Sequence, residues 1–422
     1  MSRNGNEKGM KETKFKDTEL GKIPKEWEVC KVSDFTDVIT GATPSTENPD
    51  YWGGHILWMN SGELNKKFVY DVAGRITKEG YNSASTHMLP KNCVLIGLAG
   101  QGKTRGTAAI NKIELCTNQS IGAILPSSDT DADYLFYFFD SQYQNLRALS
   151  SGDGGRGGLS KGLLLNYDVI RPQDKAEQQR IASALSDADA LVAELDALIE
   201  KKRAIMAGIM QELLTGKRRL QGFSESWVDV VFGDKIKIYR GGSPRPIESY
   251  LTNNPNGLNW IKIGDARPGD KYITKTSEKI IPEGLGATRA VYSGDFLLSN
   301  SMSFGRPYIL KIDGCIHDGW LAITEYQETF DRDFLYYLLG SDAILQKFKT
   351  LAAGSGVHNL NKKLVADMEL QIPSSLAEQR AIASILSDMD AEIAELEAKR
   401  DKYKEVRQGM MQQLLTGKIR LI

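Results

Sequence analysis

Residues 177–220 read EQQRIASALSDADALVAELDALIEKKRAIMAGIMQELLTGKRRL, and residues 378–421 read EQRAIASILSDMDAEIAELEAKRDKYKEVRQGMMQQLLTGKIRL. The offset is 201 at every position, and 25 of the 44 aligned residues are identical. Unrelated amphipathic helices do not agree to that degree by chance. Ile181, Leu185, Ala188, Val192, Leu195 and Ile199 follow alternating four- and three-residue steps, as do Ile382, Leu386, Met389, Ile393 and Leu396. That is the seam of a coiled coil. No proline interrupts either copy, and Gly216 and Gly417 supply stop signals with Lys217 and Lys418 beside them. Each copy is predicted to be one long helix of about 38 residues, or about 57 Å.

The repeat divides the chain. Residues 1–14 are polar and are predicted to be a disordered tail. A first globular unit is expected over 15–175 and the first repeat helix over 176–220. A second unit follows over 221–376 and the second helix over 377–422. The units share a framework: SESWVDVVFGD corresponds to the Trp27 region, and LNWIKIGD to HILWMNSG. DRDFLYYLLGS corresponds to DADYLFYFFDS, and TLAAGSGVHNLNKKL to the Gly-rich SSGDGGRGGLS loop. Short strand-like runs separated by Gly, Asn and Pro precede one aromatic helix in each. The fold class is α+β: two similar mixed α/β units and two long helices, an internal pseudo-two-fold repeat. The helices are nearly duplicated, whereas the units keep only their framework, as expected if they contact two different targets.

Composition excludes several classes. The 422 residues are 41% hydrophobic and 25% charged, and no apolar run reaches membrane-spanning length. Cys30, Cys93, Cys116 and Cys315 form no CxxC pair, and the four histidines show no metal-ligand spacing, so a cytoplasmic protein without structural zinc is expected. Net charge is −1; residues 1–175 carry 21 basic and 21 acidic side chains, and residues 221–376 carry 17 and 18. Any nucleic-acid contact must therefore be local or shared with a partner.

Gly97–Thr104, GLAGQGKT, matches the phosphate-binding P-loop pattern, with Lys103 for the phosphates and Thr104 for Mg²⁺. A P-loop opens a helix, but RGTAAINKIEL is Gly-broken and β-rich, and the second unit has SMSFGRP there. The expected structure is a hairpin with Lys103 and Arg105 at its tip; the alternative is a P-loop NTPase with a coiled-coil arm. Asn48–Tyr51, NPDY, approaches an adenine-methyltransferase NPPY motif but lacks its second proline and any cofactor loop. No catalytic constellation emerges.

Corresponding loops carry the candidate DNA-contacting groups. In the first unit these are Thr43, Ser45, Lys103, Arg105, Arg156 and Lys161. In the second they are Arg240, Ser243, Arg245, Arg306, His358, Asn361 and Lys362. A second apolar stripe, Ala184, Leu191, Leu198 and Ile205, with Ile385 and Val406 at matching places, is expected either to bury against the adjoining globular unit or to form a subunit interface.

The ELGKIPKEW opening, the CVLIGLAGQGKTRGTAAI hairpin, the YLFYFF helix and the AEQQRIA…LLTGK helices resemble the specificity subunit of type I restriction–modification systems. The resemblance covers nearly the whole chain beyond residue 14. It implies two target-recognition domains, each reading one half of a bipartite site in double-stranded DNA, separated by an antiparallel coiled coil. It further implies that methyltransferase subunits, two of them, and restriction endonuclease/translocase subunits assemble on a non-catalytic chain. S-adenosylmethionine, ATP and Mg²⁺ would then belong to those partners, with no cofactor on this chain.

Overall fold

Both long helices form where the heptad pattern places them. In the computed structural model, which describes residues 13–100, 102–149, 158–267, 269–300, 305–353 and 360–422, they span Lys175–Leu213 and Leu376–Leu414, 39 residues each. Each ends one turn before a glycine in the left-handed region, Gly216 at φ +70° and Gly417 at φ +68°. Beyond these glycines the amides of Arg218 and Ile419 donate back to the carbonyls of Glu212 and Gln413. No helix of the described residues is long and apolar enough to cross a membrane.

The compact units do not follow the linear boundaries expected at residues 175, 220 and 376. One comprises the chain up to Leu195 together with Lys399–Ile422; the other is Asp196–Ala398. Each unit thus owns the first half of one long helix and the last half of the other. The reason is packing. Ile181 and Leu185, expected as helix–helix seam, join Tyr134, Phe136, Tyr137, Met411 and Leu414 in the first unit's core. Ile382, Leu386, Ile393 and Ile199 lie in the second unit's core with Phe334 and Leu335. The seam is therefore also a wall of each globular core. Leu195 is buried, and Val192, Met389 and Leu396 are half-buried.

Within each unit the helix halves run antiparallel. In the first unit Glu177 pairs with Arg420, and Asp189 with Arg407. In the second, Lys202 pairs with Glu392 at 2.6 Å, and Glu378 with Arg219 at 2.7 Å.

The first unit's main sheet has the strand order Val38–Thr40, Ile121–Ile124, Val94–Gly97, Ala108–Asn111, Phe68–Val69. The second unit repeats it as Lys237–Arg240, Trp320–Thr324, Phe296–Ser299, Pro307–Leu310, Tyr272–Ile273. Both faces are covered. Val94 and Ile96 face the aromatic helix and the long helices, while Leu95 faces a second apolar cluster with Ala109 and Ala123. This period-two division makes the strands read as continuous apolar runs. Val94–Gly97 and Ala108–Asn111 are antiparallel neighbours, so Gly97–Thr104 enters a hairpin and opens no helix. A nucleotide site would also need an apolar strand ending in an acid, which Leu135–Asp140, LFYFFD, imitates in sequence, but that run lies in the helix Ala132–Ser141. Neither half of a nucleotide-binding site has its required backbone, and the P-loop alternative is withdrawn.

Candidate nucleic-acid interface

The loop after the first edge strand is set by glycine and tryptophan. A Cβ at Gly41 would lie 1.8 Å from the Thr117 carbonyl oxygen, so the backbones approach too closely for any side chain. Trp58 Nε1 donates to the Ala42 carbonyl at 3.0 Å, and Trp52 Nε1 to that of Ser45 at 3.1 Å. Thr43 donates to Gln119 at 2.6 Å, and the Ser45 hydroxyl accepts from the Glu47 amide. Thr43 and Ser45 therefore hold the loop together as well as standing at its surface.

The hairpin tip is fixed by the helix Tyr143–Leu149. Arg147 donates to the Gly102 carbonyl at 2.7 Å, and Tyr143 hydroxyl to that of Lys103 at 3.2 Å. With its backbone held from behind, Lys103 is exposed, whereas Arg105 is half-buried. Lys161 opens the short helix Lys161–Leu165 behind the Ser160 cap and pairs with Asp37 at 3.1 Å. It is thus a paired cation at the surface. Arg156 and His358 lie outside the described residues.

In the second unit Gly241 plays the part of Gly41: a Cβ there would lie 2.1 Å from the His317 carbonyl oxygen. Ser243 donates to Asp318 at 3.2 Å, while Arg240 and Arg245 are exposed. Asn361 is tied down as the N-cap of Lys362–Ala366, its Oδ1 accepting the Leu364 amide at 2.9 Å. Asn361 therefore shapes the loop as well as standing at its surface. Lys362 stands over the Tyr239 ring at 5.9 Å, and Arg289 over the same ring at 4.7 Å. Lys237 occupies the strand position of Asp37. The second unit thus surrounds one tyrosine with cations where the first has an ion pair. Arg289 has no motif around it in sequence; only the sheet brings it to Tyr239. Arg306 is exposed beside a cavity of the second unit.

The candidate interface stripe divides. Ala184 packs against the first unit's core and Ile385 against the second's, each half-buried. Leu198, Ile205 and Val406 are exposed and Leu191 half-buried.

Sequence reasoning missed a duplicated polar latch. Glu177, 1% exposed, accepts from Arg420 at 2.7 Å and from Trp27 Nε1 at 3.3 Å. Glu378, also 1% exposed, accepts from Arg219 at 2.8 Å and Trp227 Nε1 at 3.4 Å. Beside each, a glutamine reaches the loop before the aromatic helix. Gln178 accepts the Asp131 amide at 2.7 Å and Gln379 the Asp331 amide at 2.8 Å. The signal was present: Glu-Gln and the final Arg-Leu are identical in both copies.

A family model described as the type I restriction modification DNA specificity domain matches residues 24–202 and 224–405. The MjaIX specificity subunit of Methanocaldococcus jannaschii is 35% identical over 184 residues, 43% of this chain and 42% of that protein. The putative MjaX specificity subunit of the same organism is 25% identical over 97% of this chain and 98% of its own length. A chain from a structural study of type I restriction–modification assembly and conformational transition superimposes with a TM-score of 0.63, at 17% identity, over 94% of this chain and 99% of its own. The S subunit from M. genitalium gives 0.56, at 17% identity, over 92% and 96%.

Proposed function

Since this chain belongs to the type I restriction–modification DNA specificity family, we propose that its two target-recognition domains each read one half of a bipartite sequence in double-stranded DNA. The observation that carries this reading is the pair of sheets with one strand order and differing side chains on matching loops. Lys161 held by Asp37 corresponds, in the other domain, to Lys362 on Tyr239. Two scaffolds of one shape with unlike contact groups suit two unlike half-sites, because base identity is read by side-chain donors and acceptors.

In this reading the chain is non-catalytic and serves as the platform on which methyltransferase subunits, two of them, and endonuclease/translocase subunits assemble. S-adenosylmethionine, ATP and Mg²⁺ act in those partners. The chain's net charge of −1 offers little counterion release, so tight binding needs the basic surface of a partner. Leu198, Ile205 and Val406 are exposed apolar groups suited to meeting one. The test is modified-base mapping in cells that express the chain with its methyltransferase. Exchanging residues 221–376 for those of a relative is expected to change one half-site and leave the other. A change in both, or in neither, sinks the assignment of one domain per half-site.

A further inference from the structure

The two recognition domains differ at one place behind their aromatic helices. In the first, Arg407 of the second long helix donates to Asp189 and Asp140, at 3.3 and 3.2 Å. Tyr137 hydroxyl donates to Asp189 at 3.0 Å, and Lys67 pairs with Asp140 at 3.0 Å. One guanidinium thus bridges two carboxylates, and Lys67 supplies the second positive charge. In the second domain the repeat puts Met206 at the position of Arg407, and the aromatic helix puts Gly340 at that of Asp140. Asp390, the counterpart of Asp189, is kept, and Tyr337 hydroxyl still donates to it at 2.6 Å.

The loss of one carboxylate redirects its neighbours. Lys271, at the position of Lys67, pairs instead with Asp333 at 2.7 Å. Lys311, at the position of Lys112, lies over the Tyr272 ring at 4.6 Å. Among the described residues no basic group is within ion-pair distance of Asp390. A cavity of about 290 Å³ opens where the arginine is missing, lined by Asp390, Asp270, Tyr308, Tyr336, Met206 and Arg306. Arg306 is exposed and makes no ion pair among the described residues, so two carboxylates against one cation leave the cavity net negative.

We propose that this cavity is a receptor for an alkylguanidinium group, either the arginine side chain of another protein or a free compound of that type. A planar guanidinium has the donors to meet Asp390 and the tyrosine hydroxyls together, and its alkyl stem suits the thioether wall at Met206. The first domain shows the same carboxylate–tyrosine pair holding a guanidinium from within the chain.

The experiment is calorimetric titration of the full chain with agmatine, and with n-butylamine as the cation that lacks the planar fork. One agmatine per chain is expected, with butylamine at least about tenfold weaker. Asp390→Asn, which keeps a carbonyl for Tyr337, is expected to lose agmatine binding by about tenfold or more; Met206→Arg is expected to abolish it by filling the cavity. A variant with both Arg407→Met and Asp140→Gly is expected to bind a second agmatine. No heat with the wild-type chain, or equal affinity in Asp390→Asn checked for folding by circular dichroism, overturns the proposal. Co-purification with the methyltransferase subunit separates the sources. Loss of that subunit in Met206→Arg identifies a partner's arginine, whereas full retention identifies a free guanidinium compound. This second arm rests on the assembly role proposed above; the agmatine titration does not.

Discussion

Arg420 and Glu177 meet almost out of contact with water, and removing one of them strands the other. Arg420→Met leaves a carboxylate that is 1% exposed with only an indole N–H. Breaking a buried pair from one side costs about 3–5 kcal/mol, while replacing both members together is often nearly neutral. Urea unfolding is expected to show Arg420→Met strongly destabilised and the double variant Glu177→Gln, Arg420→Met largely recovered. Arg219→Met should act alike through Glu378. Unchanged midpoints in both single variants would mean the latch is ornamental. A second residue-scale expectation concerns alkali. Burial pushes the thiol of Cys116 up to about 11, and those of Cys93 and Cys315 up to about 12. An unfolded thiol ionises near pH 8.5. Between roughly pH 8.5 and 12 the folded chain therefore holds more protons than the unfolded one, and stability falls as pH rises. Unfolding midpoints measured from pH 7.5 to 10.5 should decline, and more shallowly in a Cys93→Ala, Cys315→Ala variant. An equal decline in both chains would assign the alkaline loss to other groups.

At the scale of elements, the short helices Lys161–Leu165 and Lys362–Ala366 present lysines in opposite electrostatic settings. Asp37 screens Lys161, so Asp37→Asn should free it. Each phosphate contact adds close to one unit to the salt dependence of binding. With the partner subunits present, Asp37→Asn is expected to tighten DNA binding on all sequences and to steepen the slope of log affinity against log salt by about one. A flat response means Lys161 does not reach the backbone. Arg245→Ala is the contrasting case. If this exposed side chain reads a base, one position of one half-site relaxes at a cost of about 1–3 kcal/mol, which methylation mapping on a substituted library detects.

These elements also mark what was legible. The long helices, their glycine stops and the hairpin at Gly97–Thr104 followed from periodicity and turn chemistry, which are local. The sharing of each helix between two compact units did not, because one apolar stripe looks the same whether it faces a helix or a sheet. Of the candidate residues, Lys103 and Arg245 are exposed on loops as expected, whereas Arg240 ends a strand and Lys362 opens a short helix. Arg289 over Tyr239, the Asp37 partner of Lys161 and the capping role of Asn361 depend on tertiary pairing that spacing does not encode.

At the scale of the whole molecule, the boundary between the compact units falls between Leu195 and Asp196 in the first long helix, and between Ala398 and Lys399 in the second. The pairs Glu177–Arg420 and Asp189–Arg407 lie on one side of both boundaries. Lys202–Glu392 and Arg219–Glu378 lie on the other. Four residues inserted at both boundaries therefore disturb none of these pairs. One added turn lengthens each helix by about 6 Å, and a base pair rises about 3.4 Å. If helix length sets the spacing of the half-sites, the double insertion should lengthen the unspecified spacer by about one or two base pairs. The half-site sequences should stay as they were, since neither recognition domain is touched. Insertion into one helix alone is expected to cost stability and activity, because the two helices would then differ in length between the same two sets of ion pairs. Methylation mapping of the double insertion decides the matter: full activity on an unchanged spacer would mean that the helices hold the domains without measuring the DNA.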